Sequence, residues 1–181
     1  MSHWHEWSPH EQKLAEAIYS ALDGFTNLGA AQDPTQRRID FTTLFRCVTH
    51  PEEPFPAALQ KQLTQDPKLR EDFHHLLKKC SSYHIPRAAA ASSGDLTERT
   101  VDQFRIRLRP SRVESDQLYI LIELPDETTD SPSTLFLYDT QGGCLKQALP
   151  APQEREIQLL MNVDNPLVLG LKDHNTEIFL R

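Results

Sequence analysis

The sequence predicts an α+β protein, in which a small N-terminal helical bundle precedes a compact antiparallel β-sandwich of immunoglobulin-like or transthyretin-like size. In residues 1–85, apolar side chains recur three and four positions apart, as on one face of a helix. From about residue 99 they alternate with polar ones, as in a half-buried strand. Residues 86–95 contain no large apolar side chain, which is typical of a linker. We therefore predict a helical domain at 1–85, a linker at 86–98 and a β-sandwich domain at 99–181.

The first predicted helix begins with a capping pattern. Ser8 is a suitable N-cap, Pro9 occupies the first helical position, and Glu11 stands three residues after the cap. Gly24 is the natural end of this helix, because glycine readily adopts the left-handed conformation that follows a last helical turn.

Two aspartates mark the starts of later helices. Asp40 can cap a second helix that ends at Pro51, and the apolar side chains between them follow the spacing of one helical face. Asp66 followed by Pro67 starts another helix, which runs to about residue 80. A short helix is predicted between these two, at 56–65. Together the segments predict a bundle of three or four amphipathic helices.

The C-terminal part of the chain predicts about seven short strands. In the clearest one, Phe104, Ile106 and Leu108 alternate with three arginines. The other strands are predicted at 117–124, 135–138, 144–149, 156–163, 167–171 and 177–180. So many short strands in about 80 residues are typical of a sandwich.

Composition argues against several function classes. The net charge is −7, whereas proteins that bind nucleic acid usually carry positive charge, because Lys and Arg contact the phosphates. Nucleic acid is therefore not expected as a partner. The six glycines form neither of the common phosphate-binding loop patterns. No apolar run approaches the about 18 residues that a membrane helix needs, so no membrane association is expected.

The cysteines and the first residues predict a cytoplasmic protein of bacterial type. Cys47, Cys80 and Cys144 are too few, and odd in number, for a disulfide scaffold. The N-terminus lacks the basic and apolar regions of a signal peptide. We therefore expect reduced thiols and a cytoplasmic location.

Two Cys–His pairs in the helical part have a spacing that zinc ligands use. Cys47 and His50 are three positions apart, Cys80 and His84 are four apart, and 29 residues separate the pairs. In the alternative interpretation the cysteines are small core residues and the histidines lie at the surface. Cys80 and His84 fall on the apolar face of their predicted helix, whereas Cys47 and His50 fall off the apolar face of theirs. The two pairs are therefore not expected to converge, which favours this alternative. No cofactor is therefore expected, and zinc is kept as the second hypothesis.

His74 and His75, with Asp72 nearby, resemble a catalytic base with an orienting carboxylate. Adjacent helical residues, however, point about 100° apart. The sequence also contains no Gly-x-Ser-x-Gly motif and no cysteine in a recognisable catalytic setting. A solvated helix face is the favoured interpretation, and no catalytic residue is predicted.

Five residues are predicted to bind a protein partner. Trp4 and Trp7 precede the first helix, and tryptophan is common at the dominant positions of interfaces. Arg105, Arg107 and Arg109 project from one face of a strand, where they suit an acidic contact. In the alternative, the tryptophans fold back onto the bundle and the arginines pair with acidic residues of neighbouring strands.

These features predict a non-enzymatic regulatory or adaptor protein that binds one or more other proteins. Specific versions are an inhibitor of a transcription (sigma-like) factor and an accessory subunit of a bacterial defence or protease-regulated system with a cleavable linker. The alternative is a zinc-binding protein or metal-dependent enzyme that uses the Cys–His pairs. A third class is a structural subunit whose sandwich edge packs in an oligomer, and the oligomeric state is left open.

Overall fold

The computed structural model describes residues 39–87, 96–102, 104–125 and 131–181, so the first predicted helix, Trp4 and Trp7 lie outside the described residues. The helices are α1 (Phe41–Thr49), α2 (Ala57–Gln65), α3 (Pro67–Cys80) and α4 (Pro166–Lys172). The strands are β1 (Tyr83–Ile85), β2 (Glu98–Val101), β3 (Phe104–Pro110), β4 (Gln117–Glu123), β5 (Thr134–Tyr138), β6 (Cys144–Ala148), β7 (Glu156–Asn162) and β8 (Glu177–Leu180). None of the described helices combines the length and the apolar character needed to cross a membrane.

The strands form two four-stranded antiparallel sheets, which confirms the mixed α+β class. Sheet A has the strand order β1-β8-β5-β6, and sheet B has the order β2-β3-β4-β7. One apolar core is shared by the two sheets and by α4. Leu137 and Ile178 belong to it from sheet A, and Ile120 and Ile157 from sheet B. A core shared in this way is the arrangement expected of a sandwich.

A second apolar core lies between sheet A and the first three helices. It contains Leu44 of α1, Leu63 of α2 and Phe73 of α3, all buried. Phe136 of β5 and Phe179 of β8 complete it from sheet A. They project from the face of sheet A that is opposite the first core, because successive strand residues point to opposite faces. The three helices therefore form a layer on sheet A.

Side-chain hydrogen bonds from sheet A also reach the helical layer. The Lys146 ammonium on β6 donates to the backbone oxygens of His50 at 2.5 Å and Glu53 at 2.7 Å. The Tyr138 hydroxyl on β5 donates to the backbone oxygen of Arg70 at 3.0 Å. The His50 and Glu53 carbonyl groups follow α1, where they would otherwise require water.

Both aspartate caps are confirmed. Asp40 Oδ1 accepts a hydrogen bond from the backbone N–H of Thr43 at 2.8 Å. Asp66 Oδ1 accepts from the N–H groups of Lys68 at 2.9 Å and Leu69 at 3.2 Å. The caps satisfy N–H groups that have no partner inside the helix, so they fix where α1 and α3 begin.

The strand predicted at 167–171 is wrong, because this segment belongs to helix α4. Asn165 is its N-cap and accepts a hydrogen bond from the N–H of Leu167 at 2.8 Å. Pro166 follows in the first turn, where a missing N–H has no cost. A five-residue apolar run fits a strand or a helix equally well, and the Asn-Pro start favours the helix.

Strand β1 lies inside the range 1–85, which the sequence predicted to be helical. It pairs with β8 and forms one edge of sheet A. Strand β2 begins at Glu98, the last residue of the predicted linker 86–98. The described helices pack directly on sheet A. The division into a helical domain and a separate sandwich domain at 99–181 stays a prediction.

A buried arginine ties the start of sheet B to neighbouring loops. Arg99 of β2 is 5% exposed. Its guanidinium donates to the backbone oxygens of Pro86 at 2.9 Å, Thr176 at 2.9 Å and Asp173 at 3.2 Å. Three carbonyl acceptors compensate for removing this cation from water, and they link β2 to the chain after β1 and before β8.

We expect Phe73→Ala to lower the free energy of unfolding by about 3–5 kcal/mol. The Phe73 ring is fully buried on α3, with its centroid 5.8 Å from that of Phe55 and 6.0 Å from that of Tyr138 on β5. The loss should appear in a single urea transition, whether far-UV or near-UV circular dichroism is recorded.

The matched control is Leu169→Ala, on the exposed side of α4, where the side chain is 53% exposed. This change should alter the free energy of unfolding by less than about 0.5 kcal/mol. Two separate transitions in Phe73→Ala, with the helical signal lost first, would contradict a core shared by helices and sheet.

Candidate functional site

The three predicted arginines lie on the outer face of sheet B, the face turned away from the core that the sheets share. Strand β3 alternates as expected, with every second side chain buried in that core. The outward side chains are Arg105, Arg107 and Arg109, and the inward ones are Phe104, Ile106 and Leu108. The half-buried strand that the alternation predicted is therefore confirmed.

Two of these arginines are paired with carboxylates on neighbouring strands. Arg105 Nε lies 3.4 Å from Glu98 Oε1 of β2, and Arg107 forms an ion pair with Glu123 of β4. Both pairs are partly exposed, so each contributes on the order of 1 kcal/mol or less. For Arg105 and Arg107 the structure thus shows the pairing that the sequence offered as the alternative to partner binding.

The Arg109 side chain is exposed and makes no hydrogen bond or ion pair with any described residue. In the strand register it stands beside Tyr119 of β4, which in turn stands beside Leu160 of β7. Leu160 is 51% exposed. We call these three residues, aligned across three strands on the outer face, the Arg109–Tyr119–Leu160 row.

A cluster of charged and polar side chains surrounds the buried Glu177 where α3 meets sheet A. Glu177 is the first residue of β8, and its Oε2 accepts hydrogen bonds from Nε2 of His74 on α3 and Nε2 of His84 on β1, each at 2.9 Å. Its Oε1 lies 3.0 Å from the guanidinium of Arg87. We call these four residues the Glu177 cluster.

Aromatic neighbours fix the orientation of both imidazoles. The His74 ring stacks on Tyr138 with 5.6 Å between centroids. The His84 ring stacks on Phe179 with 4.5 Å between centroids. This stacking holds each ring in the orientation that directs its Nε2 atom at the Glu177 carboxylate.

Opposing effects set the pKa of Glu177. Burial alone would raise the pKa of this carboxyl, but hydrogen bonds from His74 and His84 and the charges of His74 and Arg87 lower it to about 2. The carboxylate is therefore ionised at neutral pH, with both oxygens engaged. Such a group is a poor general base, and the cluster acts as a set of charge-assisted hydrogen bonds between α3, β1 and β8.

The two adjacent histidines face different sides of α3, as the rotation of about 100° per helical residue predicts. His74 is turned towards sheet A, whereas His75 is exposed and lies 3.9 Å from Glu71. Neither histidine forms an ion pair with Asp72 in the part of the chain that the structure describes.

The four candidate zinc ligands are not brought together. His84 binds the carboxylate of β8, whereas His50 lies at the end of α1. Within the described ranges, no group of three or more His, Cys, Asp and Glu side chains is placed to hold a metal ion. Burial also raises the pKa of Cys47 and of Cys80 to about 11, which disfavours the thiolate that zinc requires.

Sequence reasoning missed the Glu177 cluster because its contacts join distant parts of the chain. His74 and Glu177 are 103 residues apart, and His84 and Glu177 are 93 apart. One local signal does exist. Glu177 belongs to a strand whose remaining residues, at 178–180, are apolar and buried, and a carboxylate in such a strand requires partners.

Comparisons of this chain with protein-family models, with curated proteins and with solved structures found no match. The function is therefore inferred from the geometry of the described residues.

We expect Glu177→Gln to lower the free energy of unfolding by about 2 kcal/mol at neutral pH, because it weakens two charge-assisted hydrogen bonds and removes one ion pair. The pKa of Glu177 is lowered from 4.5 to about 2 by folding. Its contribution is therefore fully present above pH 4.5 and is lost as the pH falls towards 2. Urea unfolding at a series of pH values should show the two proteins converging in acid.

Glu71→Gln is the matched control, since Glu71 is an exposed carboxylate beside a histidine on the same helix. It should change the free energy of unfolding by less than about 0.5 kcal/mol at every pH. A difference between wild type and Glu177→Gln that stays constant as the pH falls would contradict the lowered pKa of Glu177.

Proposed function

We propose that this chain is a non-enzymatic protein-binding protein of the regulatory or adaptor type, and that it contacts its partner through the outer face of sheet B. The observation that carries the proposal is the Arg109–Tyr119–Leu160 row. It places an arginine, an aromatic ring and an exposed leucine side by side. Arginine and aromatic residues are enriched at the centres of protein interfaces.

The unequal covering of the two sheets supports this choice of face. The first three helices cover the outer face of sheet A, and Phe136 and Phe179 are fully buried beneath them. On the outer face of sheet B, by contrast, half of the Leu160 surface is accessible, and no described segment buries it. The open surface of Leu160, beside Tyr119 and Arg109 in the strand register, is available to a partner.

Paired charges border the row on the same face. The Arg105–Glu98 and Arg107–Glu123 pairs lie next to it along β3. Interfaces commonly have an apolar centre and a polar, solvent-accessible rim. The pairs therefore suit the rim of a contact whose centre is Tyr119.

The Glu177 cluster supports the non-enzymatic part of the proposal. Its carboxylate and both imidazoles are engaged with one another. A catalytic base needs a proton acceptor directed at a substrate, whereas these groups are directed at each other across α3, β1 and β8.

Two finer versions of the function follow from the charge and the cysteines. An inhibitor of a sigma-like transcription factor is favoured by the net charge of −7, which would speed association with a basic factor. The other version is a cytoplasmic accessory subunit of a bacterial defence or protease-regulated system, in which the segment 86–98 is a cleavable linker. Free Cys47, Cys80 and Cys144 agree with a reducing compartment.

Affinity capture from host lysate, read by mass spectrometry, tests the proposed face. Tagged wild type should retain a stoichiometric protein partner. Arg109→Glu should reduce its recovery by about tenfold or more, because a central arginine of an interface commonly contributes about 2 kcal/mol. Tyr119→Ala should have a similar effect.

Arg112→Glu is the matched control, since Arg112 is also exposed but lies in the turn after β3, beyond the row. It makes the same change of charge and should leave recovery unchanged. Equal recovery by Arg109→Glu and wild type, or equal losses in Arg109→Glu and Arg112→Glu, would contradict binding through the row.

A further inference from the structure

Two stretches of the chain, on either side of residues 88–95, build sheet A together. The first segment, residues 39–87, contains α1, α2, α3 and β1. The second segment, residues 96–181, contains the other described strands and α4. Its strands β8, β5 and β6 complete the sheet of which β1 is one edge. Sheet A therefore draws its strands from both segments.

The core between the helices and sheet A is also divided between the segments. The first segment supplies buried leucines and phenylalanines of α1, α2 and α3. The second segment supplies the buried side chains that face them, which are Phe136, Tyr138, Cys144 and Phe179. If the segments separated, both sets would be exposed to water, and the burial of apolar surface is the main favourable term in most protein association. This core is therefore an interface between the two segments.

Backbone hydrogen bonds cross from one segment to the other. Strand β1 pairs with β8, and the N–H of Ser82 donates to the oxygen of Leu180 at 2.8 Å. No other described strand lies in the first segment, so β1 has no alternative strand to pair with there. Ile85 of β1 is buried in the core that the two sheets share. The first segment thus contributes an edge strand and a core residue to the sandwich.

Side chains of each segment bond to backbone groups of the other. The amide of Gln60 on α2 donates to the oxygen of Gly142 at 3.2 Å and accepts from the N–H of Cys144 at 3.1 Å. In the opposite direction, the Arg181 guanidinium donates to the oxygen of Thr49 at 2.6 Å. The segments are joined in addition by the polar contacts described above, those of Lys146, Tyr138, Arg99 and the Glu177 cluster. Separation would leave these groups without their partners.

We propose that the two segments are complementary fragments of one fold, which stay bound to each other when the chain between them is cut. None of the contacts named above involves residues 88–95. A short tether raises the concentration of one segment at the other to about the millimolar range. Since folding equilibrium constants of small domains are about 10³ or more, the cut complex should have a dissociation constant of about 1 µM or lower.

The consequence concerns the protease-regulated version of the function, on which it rests. A cut between the segments would not by itself remove the helical layer. It would turn the layer into a separate subunit, whose loss requires dilution below the dissociation constant or a competitor for the same face of sheet A. The Arg109–Tyr119–Leu160 row lies within the second segment, on sheet B, so the cut leaves it in place.

Cutting the full chain at an inserted site tests the proposal. The recognition sequence of a site-specific protease is placed between Ala90 and Ala91, and the folded protein is cut to completion. Above the expected dissociation constant, the two fragments should elute together in gel filtration. Their far-UV and near-UV circular dichroism should equal that of the uncut protein. In concentrated urea the same fragments should elute separately, which shows that no covalent link remains.

Phe73→Ala and Leu169→Ala, each in the cut chain, form a matched pair for sedimentation equilibrium. Phe73 lies in the core between the segments, whereas Leu169 is exposed within the second segment. Phe73→Ala should raise the dissociation constant about 100-fold or more, and Leu169→Ala should leave it unchanged. Glu177→Gln is a milder second variant, which keeps the apolar core and should raise the dissociation constant about 30-fold.

Fragments of the cut wild type that elute separately above that concentration would overturn the proposal. So would co-elution with a lost near-UV signal, because that combination marks nonspecific association of unfolded fragments. Equal dissociation constants for the Phe73→Ala and Leu169→Ala chains would also contradict it. No partner protein takes part in the experiment, so its outcome is independent of whether the Arg109–Tyr119–Leu160 row binds one.

Discussion

The burial of both faces of β5 and β8 is the constraint on which the rest of the structure depends. All residues of Thr134–Tyr138 and of Glu177–Leu180 are buried. A strand with two buried faces needs a layer on each side. Sheet B covers one side of sheet A, and α1, α2 and α3 cover the other. The helices are thus required by the sheet, and sheet B is left with one face that no described helix covers.

The same constraint explains the Glu177 cluster. Thr176 and Glu177 are buried at the start of β8, and an ionised carboxylate in that position is costly without partners. His74 comes from the helical layer, and His84 and Arg87 come from β1 and the chain after it. The cluster therefore links α3 and β1 to β8. These links fix the position of the helical layer on sheet A.

Local signals in the sequence were sufficient for several elements. The Asp40 and Asp66 caps predicted the starts of α1 and α3, because capping depends only on neighbouring residues. The alternation of apolar residues with Arg105, Arg107 and Arg109 predicted β3 and its exposed face. In both cases the physical cause lies within one turn or one strand.

Other features depended on contacts between distant residues and were not predicted. A short apolar run at 167–171 has no period that separates strand from helix, so α4 was assigned wrongly. The pairing of β1 with β8 and the contacts of Glu177 join residues 90 or more positions apart. The Arg109–Tyr119–Leu160 row requires the register of three strands. Of these three residues, the sequence predicted only Arg109 as a partner-binding residue, because tyrosine and leucine are common in any strand.

We infer that the helical layer and the two sheets form one cooperative unit, because they share buried cores. Native-state hydrogen exchange, read by NMR, tests it most directly. A shared core predicts that amides of α1 and α3 exchange with the same free energy as those of β5 and β8, equal to that of global unfolding. Helix amides that exchange with a clearly lower free energy than the strand amides would show that the helices open alone, and would contradict the claim.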